Sequence, residues 1–255
     1  MNILHISDIH YRNTYPGGSF YEDMLHNMSS PFGRMKEMIP SLLSKYSIDV
    51  ICVTGDICDN GKKEDYQVLK EYFDHLSVPV FIALGNHDHK VAFNKAWNNT
   101  SSDEPYLKVN VVDGYQFISF DNSAFEHACG YVDEERLHWI NNHLDSKSIV
   151  LMHHQFEDVP GIPGMKDSEE LKKILIEKHP IAILNGHTHW CKKTYLEDIP
   201  IFTAPSVSFH ATNEEDGSVI FFESIGYQVY CLKDNKIEEI QKDEKEGRQL
   251  AFFQG

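Results

Sequence analysis

Val78-Pro79-Val80-Phe81-Ile82-Ala83-Leu84-Gly85-Asn86-His87-Asp88-His89 is the stretch whose reading decides the rest of the chain. Its first half is short, β-branched and free of charge, which predicts a buried strand. At its end the chain stops offering apolar side chains and presents Asn86, His87, Asp88 and His89 in succession. The plainer reading is a Gly-Asn turn with His87 capping the next helix. An amide oxygen, an imidazole and a carboxylate at one strand terminus are also what a metal-assisted phosphoryl site requires. The choice between the two rests on how the other strands end.

Four others end in the same way. Asn2–Ser7 predicts a strand that runs into Asp8-Ile9-His10, and Ile48–Val53 a strand that runs into Thr54-Gly55-Asp56-Ile57-Cys58-Asp59. Ile149–Met152 leads to His153-His154, and Ile181–Leu184 to Asn185-Gly186-His187-Thr188-His189. Residues two apart on an extended segment point the same way, so Asp8 with His10, and His187 with His189, can each face one site. A lone terminal histidine is usually a hydrogen-bonded core residue; five such strand ends in one chain argue for a shared centre. Oxygen and nitrogen donors without thiolate suit Mn, Fe, Zn or Co rather than a closed cysteine site. His154 should alternate away from His153 into a pocket or packing role.

The segments between the strands fit a layered α/β protein. Arg34–Lys45 places Met35, Met38, Ile39, Leu42 and Leu43 on one helical face, and Lys62–Leu76 does so with Tyr66, Leu69, Tyr72, Phe73 and Leu76. Strand, loop and helix thus repeat three times in the first ninety residues, which predicts parallel strands with functional residues beyond their carboxyl ends. Two loops, Tyr11–Gly33 and Glu157–Ser168, leave the sheet on that side and could enclose a substrate. Asp113-Gly114 between Tyr106–Val112 and Tyr115–Asp121 signals a hairpin. Asp133–Leu144 and Asp167–Lys178 are further helices, the first capped by Asp133. Lys192–Leu196, Pro200–Thr203, Val219–Glu223, Gly226–Lys233 and Lys236–Gln241 predict short antiparallel strands. Without linker or repeat, residues 1–242 are expected to form one domain; 243–255 are expected to be a tail, frayed or partly vector-derived.

The order Asp8-x-His10, Gly55-Asp56, Gly85-Asn86-His87-Asp88, His153, Gly186-His187-x-His189 resembles the full signature of the calcineurin-like metallophosphoesterases. That resemblance implies a four-layer α/β/β/α sandwich of two mixed β-sheets flanked by helices, with two divalent cations, Mn or Fe favoured over Zn or Co. Carried over position by position, one cation takes Asp8, His10, Asp56 and His189, and the other Asp56, Asn86, His153 and His187. Asp56 bridges, and His87 is the catalytic non-ligand that faces the substrate and assists the leaving group, with a neighbouring carboxylate holding its ring, Asp59 expected and Asp88 the alternative. The implied reaction is in-line attack of a metal-bridging hydroxide on a small phosphate ester.

Departures from the pattern narrow the subfamily. Asn60 after Asp59 and Leu84 before Gly85 stand where Ser/Thr protein phosphatases resemble arginine-bearing motifs. Asp59 stands where purple acid phosphatases carry a tyrosine. It resembles instead the second acidic residue of class III cyclic-nucleotide phosphodiesterases, to which size and motif order are most similar. There the fourth motif continues His-Pro-Pro; here it is His153-His154-Gln155-Phe156, so the pocket differs. The alternatives are a nuclease or a phosphomonoesterase of the same superfamily and, more remotely, a non-catalytic protein-binding scaffold. Scaffolds of this fold lack ligands, and all seven are present here.

Composition bounds the partners. A net charge of −16, from 39 acidic against 23 basic residues, gives no footing on a nucleic-acid backbone or an anionic membrane. It does not exclude a small anion, because bound metal reverses the local field. Five cysteines with no CxxC pair read as reduced packing residues. Met1–Ser7 lacks the basic and long apolar regions of a signal peptide, and no segment reaches spanning length, so a cytoplasmic protein without membrane contact is expected. A homodimer is compatible with all of this.

Overall fold

The computed structural model describes residues 1–214 and 216–254. Two six-stranded sheets stack face to face with helices outside them. In the first sheet, β1 (Asn2–Ile6), β2 (Val50–Thr54) and β3 (Val80–Ala83) run parallel in that order. β11 (Val219–Lys233) lies antiparallel to β1, with β10 (Phe209–Asn213) and β12 (Lys236–Phe253) also paired to it. The second sheet is β4 (Leu107–Val112), β5 (Tyr115–Phe120), β6 (Ser148–Leu151), β7 (Ala182–Asn185), β9 (Ile199–Thr203) and β8 (Lys192–Leu196), parallel except at its two edge strands.

Strand alternation builds the layers. On β1, Ile3 faces the opposite sheet, whereas Leu4 and Ile6 face α2 (Pro31–Tyr46) and α3 (Lys63–Asp74). On β6, Ile149 and Leu151 face inward, while Val150 packs under α5 (Glu134–His143) and α6 (Glu169–Lys178). The inter-sheet core is completed by Ala83, Phe117, Leu184, Phe202 and Tyr230. The β4–β5 turn forms at Asp113-Gly114, both at positive φ, and Asp133 caps α5 by accepting from the Arg136 amide. All five cysteines are free thiols. No helix among the described residues is long and apolar enough to cross a membrane.

Three expectations change. The segment 11–33 is not loop throughout: Ser19 caps α1 (Phe20–Asn27), whose Met24 and Leu25 bury against Phe209. Eight residues without clean periodicity give too little pattern to detect such a helix. Secondly, Val219–Glu223 and Gly226–Lys233 are one strand. Its pairing with β12 shifts register near Phe221–Ser224 and Val229–Tyr230, and each bulge resets the two-residue period. Gly226 does not break it; a Cβ there would lie 2.4 Å from the Pro205 side chain, so glycine permits close approach.

Thirdly, 243–253 is not a frayed tail but the second half of β12, paired along β11. Glu246 reaches His210 Nε2 at 3.2 Å, Arg248 binds Glu223, and the Glu244 carboxylate accepts from the Cys191 amide. Its charged residues lie on an exposed strand, which composition alone cannot distinguish from disorder. Deleting residues 243–255 should therefore unseat α1 and lower the Tm by more than about 5 °C in a melting experiment. An unchanged Tm would show that the segment adds nothing to the folded core.

Candidate metal centre

The turns after β1, β2, β3, β6 and β7 converge at one end of the sheets. Asp8, His10, Asp56, His187 and His189 all have positive φ, between 47° and 70°. Such backbone costs on the order of 1–3 kcal/mol per residue and persists only where its surroundings enforce it. Here the turns bind one another. The Asp8 and His10 amides donate to the Gly55 and Asp56 carbonyls at 3.1 and 2.8 Å. The His87 amide donates to Asp56 Oδ1 at 2.8 Å and the His187 amide to Asp8 Oδ2 at 3.1 Å. Two glycines allow this closeness: a Cβ on Gly85 would lie 2.1 Å from Asp56 Oδ1, and one on Gly186 would lie 1.9 Å from Ser7 Oγ.

Asp8, His10, Asp56 and His153 are almost wholly buried. The ring orientations follow from what each imidazole donates to. His153 Nδ1 meets the Thr54 carbonyl at 2.8 Å, His189 Nδ1 the Phe209 carbonyl at 2.6 Å, and His10 Nδ1 the Asp59 carboxylate at 3.3 Å. These oxygens only accept, so each Nδ1 carries a hydrogen and each Nε2 is left to the centre. His10 and His189 Nε2 lie 3.3 Å apart. His153 Nε2 lies 3.3 Å from Asp56 Oδ2, and His189 Nε2 the same distance from Asp8 Oδ1. His187 is held the other way round, Nε2 donating to the Pro163 carbonyl at 3.2 Å, which leaves Nδ1 as its lone pair. Asn86 Oδ1 and His153 Nε2 are buried without a hydrogen-bond partner.

Converging imidazole lone pairs, buried carboxylates and an orphaned amide oxygen repel one another unless positive charge lies between them, so these residues fit divalent metal. Asp8, His10 and His189 form one group that could hold an ion, and Asp8, Asp56 and His153 another. His87 sits at the margin, with its Nδ1 2.8 Å from Asp59 Oδ1 and its ring edge-on to His10. Burial opposes its charged form, but Asp56 and Asp59 outweigh burial and lift its pKa to about 9. Burial likewise opposes charge on His153, and Asp56, then Asp8 and the Thr54 carbonyl, raise it to about 9.

Asp8, His10, Asp56, Asp59, His87, His153, His187 and His189 are brought together, Asn86 is buried in the turn after β3, and three neighbouring details depart from expectation. Asp88, considered as a partner for His87, instead accepts from the Ile57, Cys58 and Gly85 amides and the Tyr66 hydroxyl. The helix α4 (Lys90–Trp97) is capped by His89, not His87. His154 does not turn away: β6 ends at Leu151, alternation lapses, and its ring lies 4.3 Å from that of His187. Other contributors escaped the pattern. Asn122 Oδ1 accepts from the His153 and His154 amides, and Ser206 and Ser208 hydroxyls donate to the Asp8 carbonyl. Asp121-Asn122-Ser123 directly follows β5, so a polar strand end was there to be read. Tyr21 of α1, whose hydroxyl donates to Asp59 Oδ1 at 3.0 Å, had no such signal.

The fold and this constellation define a metal-dependent phosphoesterase. The calcineurin-like phosphoesterase family matches residues 1–191, and the chain belongs to that family, as a phosphoric ester hydrolase. It is 24% identical over 221 residues to a probable cyclic nucleotide phosphodiesterase from Rhodococcus erythropolis, covering 81% of this chain and 71% of that one. It is 28% identical over 173 residues to a probable glycerophosphodiester phosphodiesterase from Arcobacter nitrofigilis, covering 63% of each. Among solved structures, a dimetal phosphatase from Danio rerio shares the fold, with a TM-score of 0.59 at 13% identity over 86% of this chain and 94% of that one.

Protons and metal should compete here. In chelator-treated protein, His87 and His153 gain protons up to about pH 9 when folded but only to about 6.5 when unfolded. Their stabilisation is complete below 6.5 and is lost as pH rises through about 9. His5 and His187, pushed down to about 3 chiefly by burial, stay neutral across that window. The Tm of treated protein should fall from pH 6.5 to 9, and Mn²⁺ added there should raise it while releasing protons. A Tm that rises over the same window contradicts the assignment.

Proposed function

We propose that this chain is a dinuclear-metal phosphodiesterase acting on a small phosphodiester, cyclic nucleotides first. The carrying observation is the Asp59–His87 pair beside the buried donor cluster: a carboxylate at 2.8 Å orients an imidazole whose side chain keeps 34% of its surface open. One cation is assigned to Asp8, His10, Asp56 and His189, the other to Asp56, Asn86, His153 and His187, with Mn or Fe as the metals. When bound, they polarise the phosphoryl oxygens and lower the pKa of water. Only Asp8 and Asp56 are anionic in that set, so neutral His and Asn donors leave a net attraction for phosphate.

The chain's own groups supply the rest. Burial alone would neutralise Asp59, but hydrogen bonds from His10 and His87 hold it ionised, well below the usual carboxylate range. Asp59 fixes Nδ1 of His87 as a donor, which aims Nε2 outward. From there His87 delivers a proton to the departing alkoxide, which a diester of an ordinary alcohol needs and a nitrophenolate does not. Leu84 and Asn60 add no cation to the phosphate site, in keeping with a diester rather than a doubly charged monoester. The similarity to a probable glycerophosphodiester phosphodiesterase supports a second reading, in which glycerol is the leaving alcohol.

Two measurements test this. Asp56→Asn removes the only shared ligand and should abolish turnover with loss of at least one metal equivalent by elemental analysis; two retained equivalents with activity intact defeat the metal assignment. His87→Ala should lose about 10²–10⁴ in rate on 3′,5′-cyclic AMP or glycerophosphocholine, the range for a positioned acid. Its loss on bis(p-nitrophenyl) phosphate should be much smaller. Equal losses would mean that His87 stabilises phosphoryl charge and delivers no proton.

A further inference from the structure

A cavity of about 230 Å³ lies between α6, the segment 155–159 and the second sheet, and none of its lining residues is a candidate metal ligand. Asn185, the last residue of β7, lines it. Leu184 belongs to the inter-sheet core and Ile183 to the helix-side core, so alternation turns Asn185 toward the helices and the cavity. Asn185 is fully buried, yet neither its Oδ1 nor its Nδ2 has a hydrogen-bond partner. Gln155, also in the lining, adds a second orphan, its buried Oε1. An unsatisfied buried polar group costs about 1–3 kcal/mol, and native proteins keep few without something that answers them.

The walls indicate what would answer. Phe156, Tyr195 and Ile201 give apolar surface, while the Thr188 and Thr203 side chains add hydroxyls. A free carboxamide offers one donor and one acceptor side by side, the pattern with which asparagine binds the edge of a nucleobase bidentately. The volume is below the roughly 300–1,000 Å³ of drug-sized sites, so it suits one flat ring system and not a whole nucleotide. Lys172, at the wall, is already paired with Glu157 and Glu169, which leaves it little to offer a phosphate.

We propose that this cavity binds a planar heterocycle with an amide or amidine edge, of the nucleobase class, through the Asn185 carboxamide. The site stands next to the metal centre without being part of it. Gln155 Nε2 and His187 Nε2 donate to the same Pro163 carbonyl, at 3.5 and 3.2 Å, and Thr188 lies between His187 and His189. The inference is independent of which ester is hydrolysed, because it concerns binding alone.

Calorimetric titration of the Mn-loaded full chain with adenine, guanine and uracil tests it. At least one base should bind saturably, one per chain, with a Kd below about 1 mM. Asn185→Leu keeps the side-chain shape and removes both amide atoms, and should weaken binding at least about tenfold. Thr194→Trp fills the cavity from the edge strand β8, where folding is less at risk, and should abolish binding with metal content unchanged. No saturable binding of any of the three bases, or binding unaltered in Thr194→Trp, overturns the proposal.

Discussion

Asp8 and Asp56 are buried carboxylates in a chain of net charge −16, and much of the architecture serves to hold their charge out of water. Burial pushes toward the neutral acid. Neighbouring histidines win: His189 and its hydrogen bond hold Asp8 at about 2, while His153 and His87 lead in holding Asp56 well below the usual range. Those histidines are usable only because their far nitrogens are tied to Thr54, Phe209 and Asp59. The ties come from β2, from the start of β10 and from the turn after β2, so the charge balance depends on both sheets being in place.

The left-handed backbone at Asp8, His10, Asp56, His187 and His189 belongs to the same constraint. An extended chain would carry these side chains past one another beyond the strand ends. Turning each segment back at positive φ brings carboxylates and imidazoles within 3.3–3.6 Å. Amide donors to Asp8, Asp56 and Asp88 keep the turns closed. Gly85 and Gly186 leave the space these carboxylates and Ser7 occupy. Left-handed backbone also occurs at turns elsewhere, such as Asp113, but at the site five such residues fall in three of the turns that supply the donors.

A division of labour follows between the sheets. β1, β2 and β3 bring Asp8, His10, Asp56, Asn86 and His87, whereas β6 and β7 bring His153, His187 and His189. Neither set is complete alone. The inter-sheet core of Ile3, Ala83, Phe117, Leu184 and Phe202 therefore sets the spacing between donors as well as contributing to stability. α1 lies outside this scheme, yet it places Tyr21 on Asp59, so the orientation of His87 also depends on a helix seated against β10 and β12.

The sequence by itself determined the parallel strand–helix alternation, the hairpin at Asp113-Gly114 and the set of residues that meet at the strand ends. These are local signals: short apolar runs of period two, helical faces of period 3.6, turn residues and polar termini. It did not determine α1, the continuity of β11 through Gly226, or the pairing of 243–253, because short helices and bulged strands break the periods on which such reading depends. Asp59 is the carboxylate expected beside His87, but nothing in the sequence said that Asp88 binds backbone amides or that His154 lies beside His187. Spacing along a strand predicts direction only while the strand lasts. Beyond its end, the turn conformation and contacts from the opposite sheet decide where a side chain goes, and only the assembled tertiary structure supplies those.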